Sequence, residues 1–218
     1  MADRQVKISV RNFVEFMLRS GDIDNRRRVS SENAMVEGGR IHRMIQRRMG
    51  SEYEAEVFLK YEEETPKYKL VIDGRADGII TVQKPVVSNG EFTLELPAVM
   101  EIQCIEEHVT IDEIKGTYRE LDKIKEPEPV HLAQAKVYAY IYGKQKELKN
   151  ICVRMTYCNM DTEELKYFIE EYSLAELEKW FFVIFMISPS FILILLKLRG
   201  WNFIVSSPLK NYQKFLRI

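Results

Sequence analysis

A carboxylate and an amine stand two residues apart in the segment VTIDEIKG, which spans residues 109–116. Alternate side chains of a β-strand share one face, so Glu113 and Lys115 would end an otherwise apolar face. There Glu113 could bind a divalent cation, while Lys115 orients a water molecule or offsets charge on a phosphate. A solvent-exposed ion pair at a strand end also explains this short pattern.

A second acid, Asp77, stands between the apolar pairs Val71-Ile72 and Ile79-Ile80. Its Asp-Gly dipeptide, like the one at Asp73, is typical of a tight hairpin turn, and this explains Asp77 without any function. The functional alternative is a metal ligand at the bend between two strands. Carboxylate oxygens are the protein ligands that Mg²⁺ and Mn²⁺ prefer, usually together with water and substrate phosphate.

Two further groups of residues stand on predicted helices on either side of these acids. His42 follows Gly38 and Gly39 on a helix expected from Ser31 to about Met49. Gln134 and Tyr138 lie four positions apart, and therefore on one face, of a helix expected from His131 to Tyr142.

In this order the residues resemble the RecB-like branch of the PD-(D/E)xK nucleases, over residues 31–142. The resemblance implies an α/β, restriction-endonuclease-like core in which helices flank a central mixed β-sheet. It also implies a DNA nuclease that uses Mg²⁺ or Mn²⁺ and has Asp77, Glu113 and Lys115 at its catalytic centre. The metal ligands would be His42, Asp77, Glu113 and the backbone carbonyl of Ile114. Lys115 would position the attacking water, and Gln134 and Tyr138 would contact DNA or support the site.

The chain is also similar to the nuclease domain found ahead of DinG-type helicases, which implies an exonuclease in DNA repair or recombination with a helicase as partner. The chain contains no GxxxxGK[ST] phosphate loop, so it is not that helicase itself. Many relatives carry four cysteines for an iron–sulfur cluster. This chain has three, Cys104, Cys152 and Cys158, and we expect no cluster.

The order of predicted elements independently favours an α/β fold around one mixed sheet. Ser9 is expected to cap a first helix that stops at Gly21. The remaining expectations follow the residue patterns along the chain: strands at 54–61, around 68–80, at 91–106, 109–115 and 151–157, and a helix at 161–182.

Charge distribution is more informative than the net charge, which is −1. Seven arginines and two acids occupy the segment from Arg26 to Arg48, which is either a solvated face or a surface for DNA phosphates. Arg40, Arg43 and Arg47 are the predicted DNA contacts in its second half. Three tyrosines, at positions 118, 138 and 140, could stack on unpaired bases or simply pack.

Composition changes near residue 183, because the last 36 residues contain no Asp or Glu. We therefore expect a nuclease domain over residues 1–182 and an acid-free apolar segment over 183–218. That segment reads as a buried helical hairpin, a tail anchor or an altered C-terminus, and we favour the third. The uncharged stretch from Trp180 to Leu196 contains Pro189 and is short for a membrane span, so a membrane partner is not expected.

Sparse cysteines and an N-terminus without an apolar signal core favour a cytoplasmic protein. Two other functions remain open at this point. One is a nuclease-like module that binds DNA without cutting it. The other is a membrane-tethered interaction protein that uses the segment from Trp180 to Leu196.

Overall fold

The computed structural model describes residues 5–18, 31–64, 69–85 and 105–187. A 3₁₀ turn at Leu121–Lys123 precedes the third helix. The other elements run along the chain as follows: β1 Gln5–Ser9, α1 Val10–Met17, α2 Ser31–Arg48, β2 Tyr53–Glu64, β3 Lys69–Pro85, β4 Ile105–Thr117, α3 Pro129–Gln145, β5 Asn150–Asn159, β6 Leu165–Ser173 and α4 Leu174–Ile187.

One six-stranded mixed sheet organises the described residues, with the order β1-β3-β4-β5-β6 and with β2 paired to β3. The pairs β1–β3 and β4–β5 are parallel, whereas β2–β3, β3–β4 and β5–β6 are antiparallel. The long helix α3 is the crossover between the parallel neighbours β4 and β5, as a parallel pair requires. The α/β class with a central mixed sheet flanked by helices is therefore confirmed.

Two apolar clusters lie against the sheet. The larger one includes Ile111 of β4, and in it Tyr140 of α3 stacks on Phe181 of α4, with ring centroids 4.5 Å apart. The smaller one joins Ile41 and Ile45 of α2 to Ile114 of β4. Because side chains alternate along β4, α2 and α3 cover opposite faces of this strand, and Glu113 faces the α3 side.

The two predicted Asp-Gly hairpins are wrong, because β3 continues without a turn from Lys69 to Pro85. The glycines instead allow other side chains to approach the backbone closely. A Cβ at Gly74 would lie 2.5 Å from the Tyr138 hydroxyl, and one at Gly78 would overlap the Tyr53 ring. Asp77 therefore sits inside a continuous strand and not at a bend.

The helix predicted over 161–182 is also wrong in its first half. Residues Leu165–Ser173 form β6, which pairs along β5, and the helix α4 begins only at Leu174. Pairing with β5 overrides the apparent helical spacing of Leu165, Phe168 and Ile169. As a result Ile169 stands on the edge strand with 62% of its surface exposed.

The other predicted elements within the described residues are confirmed, including the cap at Ser9, whose side chain accepts from the Asn12 backbone at 3.2 Å. The helix α1 ends at Met17, and Gly21 lies outside the described residues. So do Arg26 to Arg28, Cys104, almost all of the strand expected at 91–106, and residues 188–218 of the acid-free segment. The helix α4 crosses the expected boundary at residue 183.

Among the helices that the structure describes, none is both long and apolar enough to cross a membrane.

Candidate metal centre

The helix α2 brings His42 to Asp77 of β3. Ile41 and Ile45 fix the helix against the sheet because both are fully buried. His42, the neighbour of Ile41, then points to the strand, and its Nδ1 lies 3.2 Å from Asp77 Oδ1. The other carboxylate oxygen of Asp77 accepts the backbone N–H of Ile114 at 2.7 Å. The predicted ligands His42 and Asp77 are thus in direct contact.

Glu56 completes a group that the sequence did not reveal. Ligand atoms of His42, Glu56 and Asp77 all lie within 4.8 Å of one another, and we call these three residues the metal cluster. Glu56 has a φ of 55° in the middle of β2, between the paired positions Ala55 and Val57. A non-glycine residue in this left-handed region costs about 1–2 kcal/mol, which surrounding structure must offset.

Gln46 connects the parts of the metal cluster. It stands one helical turn after His42 on α2, and its Nε2 donates to the Asp77 backbone carbonyl at 2.9 Å and to Glu56 Oε1 at 3.2 Å. The i,i+4 spacing of His42 and Gln46 was a sequence signal that both face one site. No comparable signal marked Glu56, since β2 also carries acids at positions 54, 62, 63 and 64.

Glu113 lies beside the metal cluster but is oriented towards Lys115. Extending the β3–β4 register from Gly78↔Asp112 by one residue places Asp77 opposite Glu113. Lys115 Nζ lies 2.6 Å from Glu113 Oε1. Glu113 Oε2 is fully buried and has no hydrogen-bond partner among the described residues. A buried carboxylate oxygen without a partner is costly, and a bound cation would compensate for it.

Burial raises the pKa of Glu113 to about 8, and the nearby charge of Asp77 acts in the same direction. Burial lowers the pKa of His42, but the hydrogen bond and the charge of Asp77 outweigh it, and the net direction is upward. Negative charge is therefore concentrated on few buried atoms at the point where β3 and β4 meet. Such an arrangement favours a proton or a divalent cation.

Tyr138 and Gln134 of α3 line the same site from the Glu113 side of the sheet. The Tyr138 hydroxyl lies over Gly74, and the nearby Gln134 side chain and Arg75 backbone both favour its charged form. Burial raises the pKa of Tyr138, and the charge of Glu113 adds to this effect. Of the two roles expected for Gln134 and Tyr138, these contacts suit support of the site. Tyr138 and Tyr140 are both buried, which agrees with packing rather than base stacking, whereas Tyr118 is 67% exposed.

The predicted DNA-contacting arginines of α2 differ in their surroundings. Arg40 is ion-paired with Glu37 and Glu163, and Arg48 also reaches Glu163. Arg43 and Arg47 are exposed, four positions apart on the surface next to His42 and Gln46. Their guanidinium groups form no ion pair within the part of the chain that the structure describes.

Tyr53, Asp112, Arg154 and Thr156 form a buried network on the α2 side of the sheet. Asp112 accepts two hydrogen bonds from Arg154, at 2.8 and 2.9 Å, and one from Thr156 at 2.5 Å. The Tyr53 hydroxyl adds a fourth at 3.1 Å. We call these residues the Asp112 network. It ties β2, β4 and β5 together directly behind the strand positions of the site.

Comparisons with known proteins add little to this geometry. No family model and no curated protein matches the chain. Six chains of solved structures match, and one of them is the crystal structure of SSO0001. That structure is 16% identical over 87% of this chain and 80% of its own, with a TM-score of 0.46. At this identity and TM-score the similarity supports no statement about activity.

Proposed function

We propose that this protein is a divalent-metal-dependent DNA nuclease that hydrolyses phosphodiester bonds. The observation that carries the proposal is the fully buried Glu113 Oε2, which has no hydrogen-bond partner among the described residues, on a carboxyl group that the charges of Asp77 and His42 reach. An imidazole nitrogen and carboxylate oxygens within one ion's reach suit Mn²⁺ or Mg²⁺. His42, Asp77 and Glu56 would hold the ion. Glu113, which is not in that group, and the Ile114 carbonyl stay predictions as further ligands.

The residues of the site divide the chemistry among them. A bound divalent cation would lower the pKa of a water molecule and offset charge that develops on the phosphate. Lys115 Nζ lies 2.6 Å from Glu113 Oε1 and presents an ammonium group with donors for a nucleophilic water or for a phosphate oxygen. Gln134 and Tyr138 would support the site from α3, on the side of the sheet that Glu113 faces. Positioning and electrostatic stabilisation of this kind suffice for in-line phosphodiester hydrolysis.

The wider setting of this activity rests on the family resemblance. We propose an exonuclease in DNA repair or recombination, located in the cytoplasm and associated with a helicase. Exposed Arg43 and Arg47 beside the metal cluster support contact with a phosphate backbone.

Purified full-length protein incubated with end-labelled single-stranded and duplex DNA tests the activity. We expect cleavage in Mg²⁺ or Mn²⁺, none in a chelator, and a loss of at least a hundredfold in Lys115→Ala, as for other positioned catalytic groups. Lys149→Ala is the matched control, because Lys149 is exposed in the turn after α3. Mn²⁺ binding, measured directly by calorimetry, is expected to survive in Lys115→Ala.

The same samples separate the alternatives. DNA binding without cleavage in either metal would replace the nuclease by a non-cutting DNA-binding module. Partition into detergent without any DNA affinity would favour a membrane-tethered protein. Cleavage that persists in Lys115→Ala would remove Lys115 from the chemistry.

A further inference from the structure

A third residue of α3, His131, continues the row that Gln134 and Tyr138 begin. Residues three and four apart lie on one helical face, so all three side chains point to the same side of α3. Tyr138 is at the Glu113 end of this row. His131 Nδ1 lies 3.1 Å from the hydroxyl of Tyr157, and Tyr157 is the residue of β5 that pairs with Lys115. This row of side chains thus runs alongside β4, from Glu113 past Lys115.

The hydrogen bonds of Tyr157 fix which nitrogen of His131 carries the hydrogen. The Tyr157 hydroxyl accepts the backbone N–H of Glu128 at 3.0 Å, and it lies 3.1 Å from His131 Nδ1. If Nδ1 carried the hydrogen, the buried hydroxyl would have no acceptor among the described residues for its own proton. Tyr157 therefore donates to Nδ1, and Nε2 of the neutral ring is the N–H donor.

The charge state of His131 agrees with this assignment. Burial lowers its pKa to about 4, and the positive charge of Lys115 acts in the same direction. The ring is therefore neutral at physiological pH. A neutral donor beside Lys115 adds a directed hydrogen bond without adding charge repulsion.

Nε2 is the ring nitrogen of His131 that remains for a ligand. Glu113 Oε2 is the only fully buried side-chain nitrogen or oxygen without a hydrogen-bond partner in the described part of the chain. His131 Nε2 has no hydrogen-bond partner there either, and the His131 side chain is only partly buried. The charged groups around the ring are Lys115, Glu128 and, from α1, Arg11 and Glu15. Among them, Lys115 is the cation that the proposed reaction places next to the phosphate.

We propose that His131 Nε2–H donates a hydrogen bond to a phosphate oxygen of the bound DNA strand, next to the phosphate at Lys115. The proposal rests on the nuclease function and adds a fixed substrate contact to it. A backbone phosphate has acceptor oxygens at every nucleotide, so this contact positions the strand without reading its sequence. Tyr157 acts through His131, as a positioning residue that holds the tautomer.

The test measures whether replacing His131 and removing the charge of one phosphate have coupled effects on DNA affinity. Single methylphosphonate substitutions, which remove the charged oxygen, are placed at successive positions of a short fluorescent oligonucleotide. Its affinity is measured by anisotropy in the Glu113→Gln background, where no cleavage is expected, for His131, His131→Leu and His131→Gln. His108→Gln is the control, because His108 lies towards the start of β4, away from Lys115.

At one position we expect the methylphosphonate to weaken binding by about tenfold when His131 is present and to have little effect in His131→Leu. His131→Gln, which keeps an N–H at a similar reach, should recover part of the affinity, and Tyr157→Phe should lose part of it. The proposed contact would be overturned if the losses of affinity caused by His131→Leu and by the methylphosphonate were additive at every position. Full affinity in His131→Leu would also overturn it.

Two outcomes distinguish this proposal from the proposed function. Binding by the unmutated protein without cleavage in Mg²⁺ or Mn²⁺ ends the nuclease proposal, while the coupling still decides the role of His131. If the unmutated protein binds no strand, both proposals fail. Thermal unfolding of each variant identifies any loss that reflects misfolding, and His131→Gln provides the second variant in that case.

Discussion

Glu56 adopts a backbone conformation that strand pairing does not require. Its φ of 55° costs about 1–2 kcal/mol, and its carboxylate accepts from Gln46 within the metal cluster. Strain of this kind is often retained at sites where it positions a functional group. Glu56 is therefore a residue where stability and metal binding should conflict.

Substitution of Glu56 tests this conflict. We expect Glu56→Gln and Glu56→Gly each to weaken Mn²⁺ binding by at least about tenfold, measured by calorimetry. Glycine tolerates a positive φ, so Glu56→Gly should be more stable than Glu56→Gln by roughly 1 kcal/mol in urea unfolding. Glu54→Gln is the control on the same strand. Unchanged Mn²⁺ affinity in both Glu56 variants would exclude Glu56 as a ligand.

Glu113 makes the stability of the metal-free protein depend on pH. Its folded pKa, about 8, lies above the ordinary value of 4.5, so the folded state binds the proton more tightly. Its contribution to stability is fully present below about pH 4.5, falls as pH rises and is lost above about 8. Glu113→Gln removes this dependence, because a neutral amide remains in place of the carboxylate.

Calorimetric melting in a chelator at several pH values measures the effect. At pH 8.5 we expect Glu113→Gln to melt a few degrees higher than the unmodified protein, with a smaller difference at pH 5. The same variant should lose cleavage activity. An equal shift in melting temperature at both pH values would contradict a raised Glu113 pKa.

At the scale of elements, local patterns predicted the strand around Glu113 and the helices α2 and α3. The same reasoning failed at Gly74 and Gly78. Their Asp-Gly dipeptides look like turns, whereas the structure uses both glycines for the close approach of Tyr138 and Tyr53. Such contacts join residues far apart in sequence, so no local pattern reports them.

The candidate site shows the same division between local and distant information. The sequence pointed to His42 and Asp77, which the structure brings into contact, but it did not reveal Glu56. The reason is that β2 carries several acids, and only its pairing with β3 selects the one opposite Asp77. The sequence also did not indicate that Asp112, the neighbour of Glu113, is buried. Alternation along a strand shows that the two side chains lie on opposite faces, but only the fold shows which faces are covered.

The Asp112 network holds the strands of the site together, and its loss should destabilise the fold. Asp112 is fully buried and Arg154 is nearly so. Removing one partner of a buried pair leaves the other charge uncompensated, so Asp112→Ala should cost about 3–5 kcal/mol in urea unfolding. Asp122→Ala, in the exposed 3₁₀ turn, should stay within about 0.5 kcal/mol. A small cost for Asp112→Ala would mean that the network is not a structural tie.

On the scale of the whole molecule, a net charge of −1 gives no general attraction to DNA, so binding must depend on local cations. The described part of α2 offers two kinds of arginine, one already ion-paired and one not. Arg40 and Arg48 already share Glu163, which ties the helix to the turn between β5 and β6. Arg43 and Arg47 are exposed and stand next to the residues of α2 that face the metal cluster.

This difference predicts which arginines release counterions when DNA binds. For Arg43→Ala and Arg47→Ala we expect weaker binding of every sequence and a slope of log affinity against log salt that falls by about 1 each. Arg40→Ala and Arg48→Ala should leave the slope nearly unchanged, because Glu37 and Glu163 together already balance these two charges in the unbound protein. Anisotropy titrations across a salt series measure all four variants. If the four slopes fall equally, DNA displaces Glu163 from its arginines, and the whole arginine face of α2 is the phosphate contact.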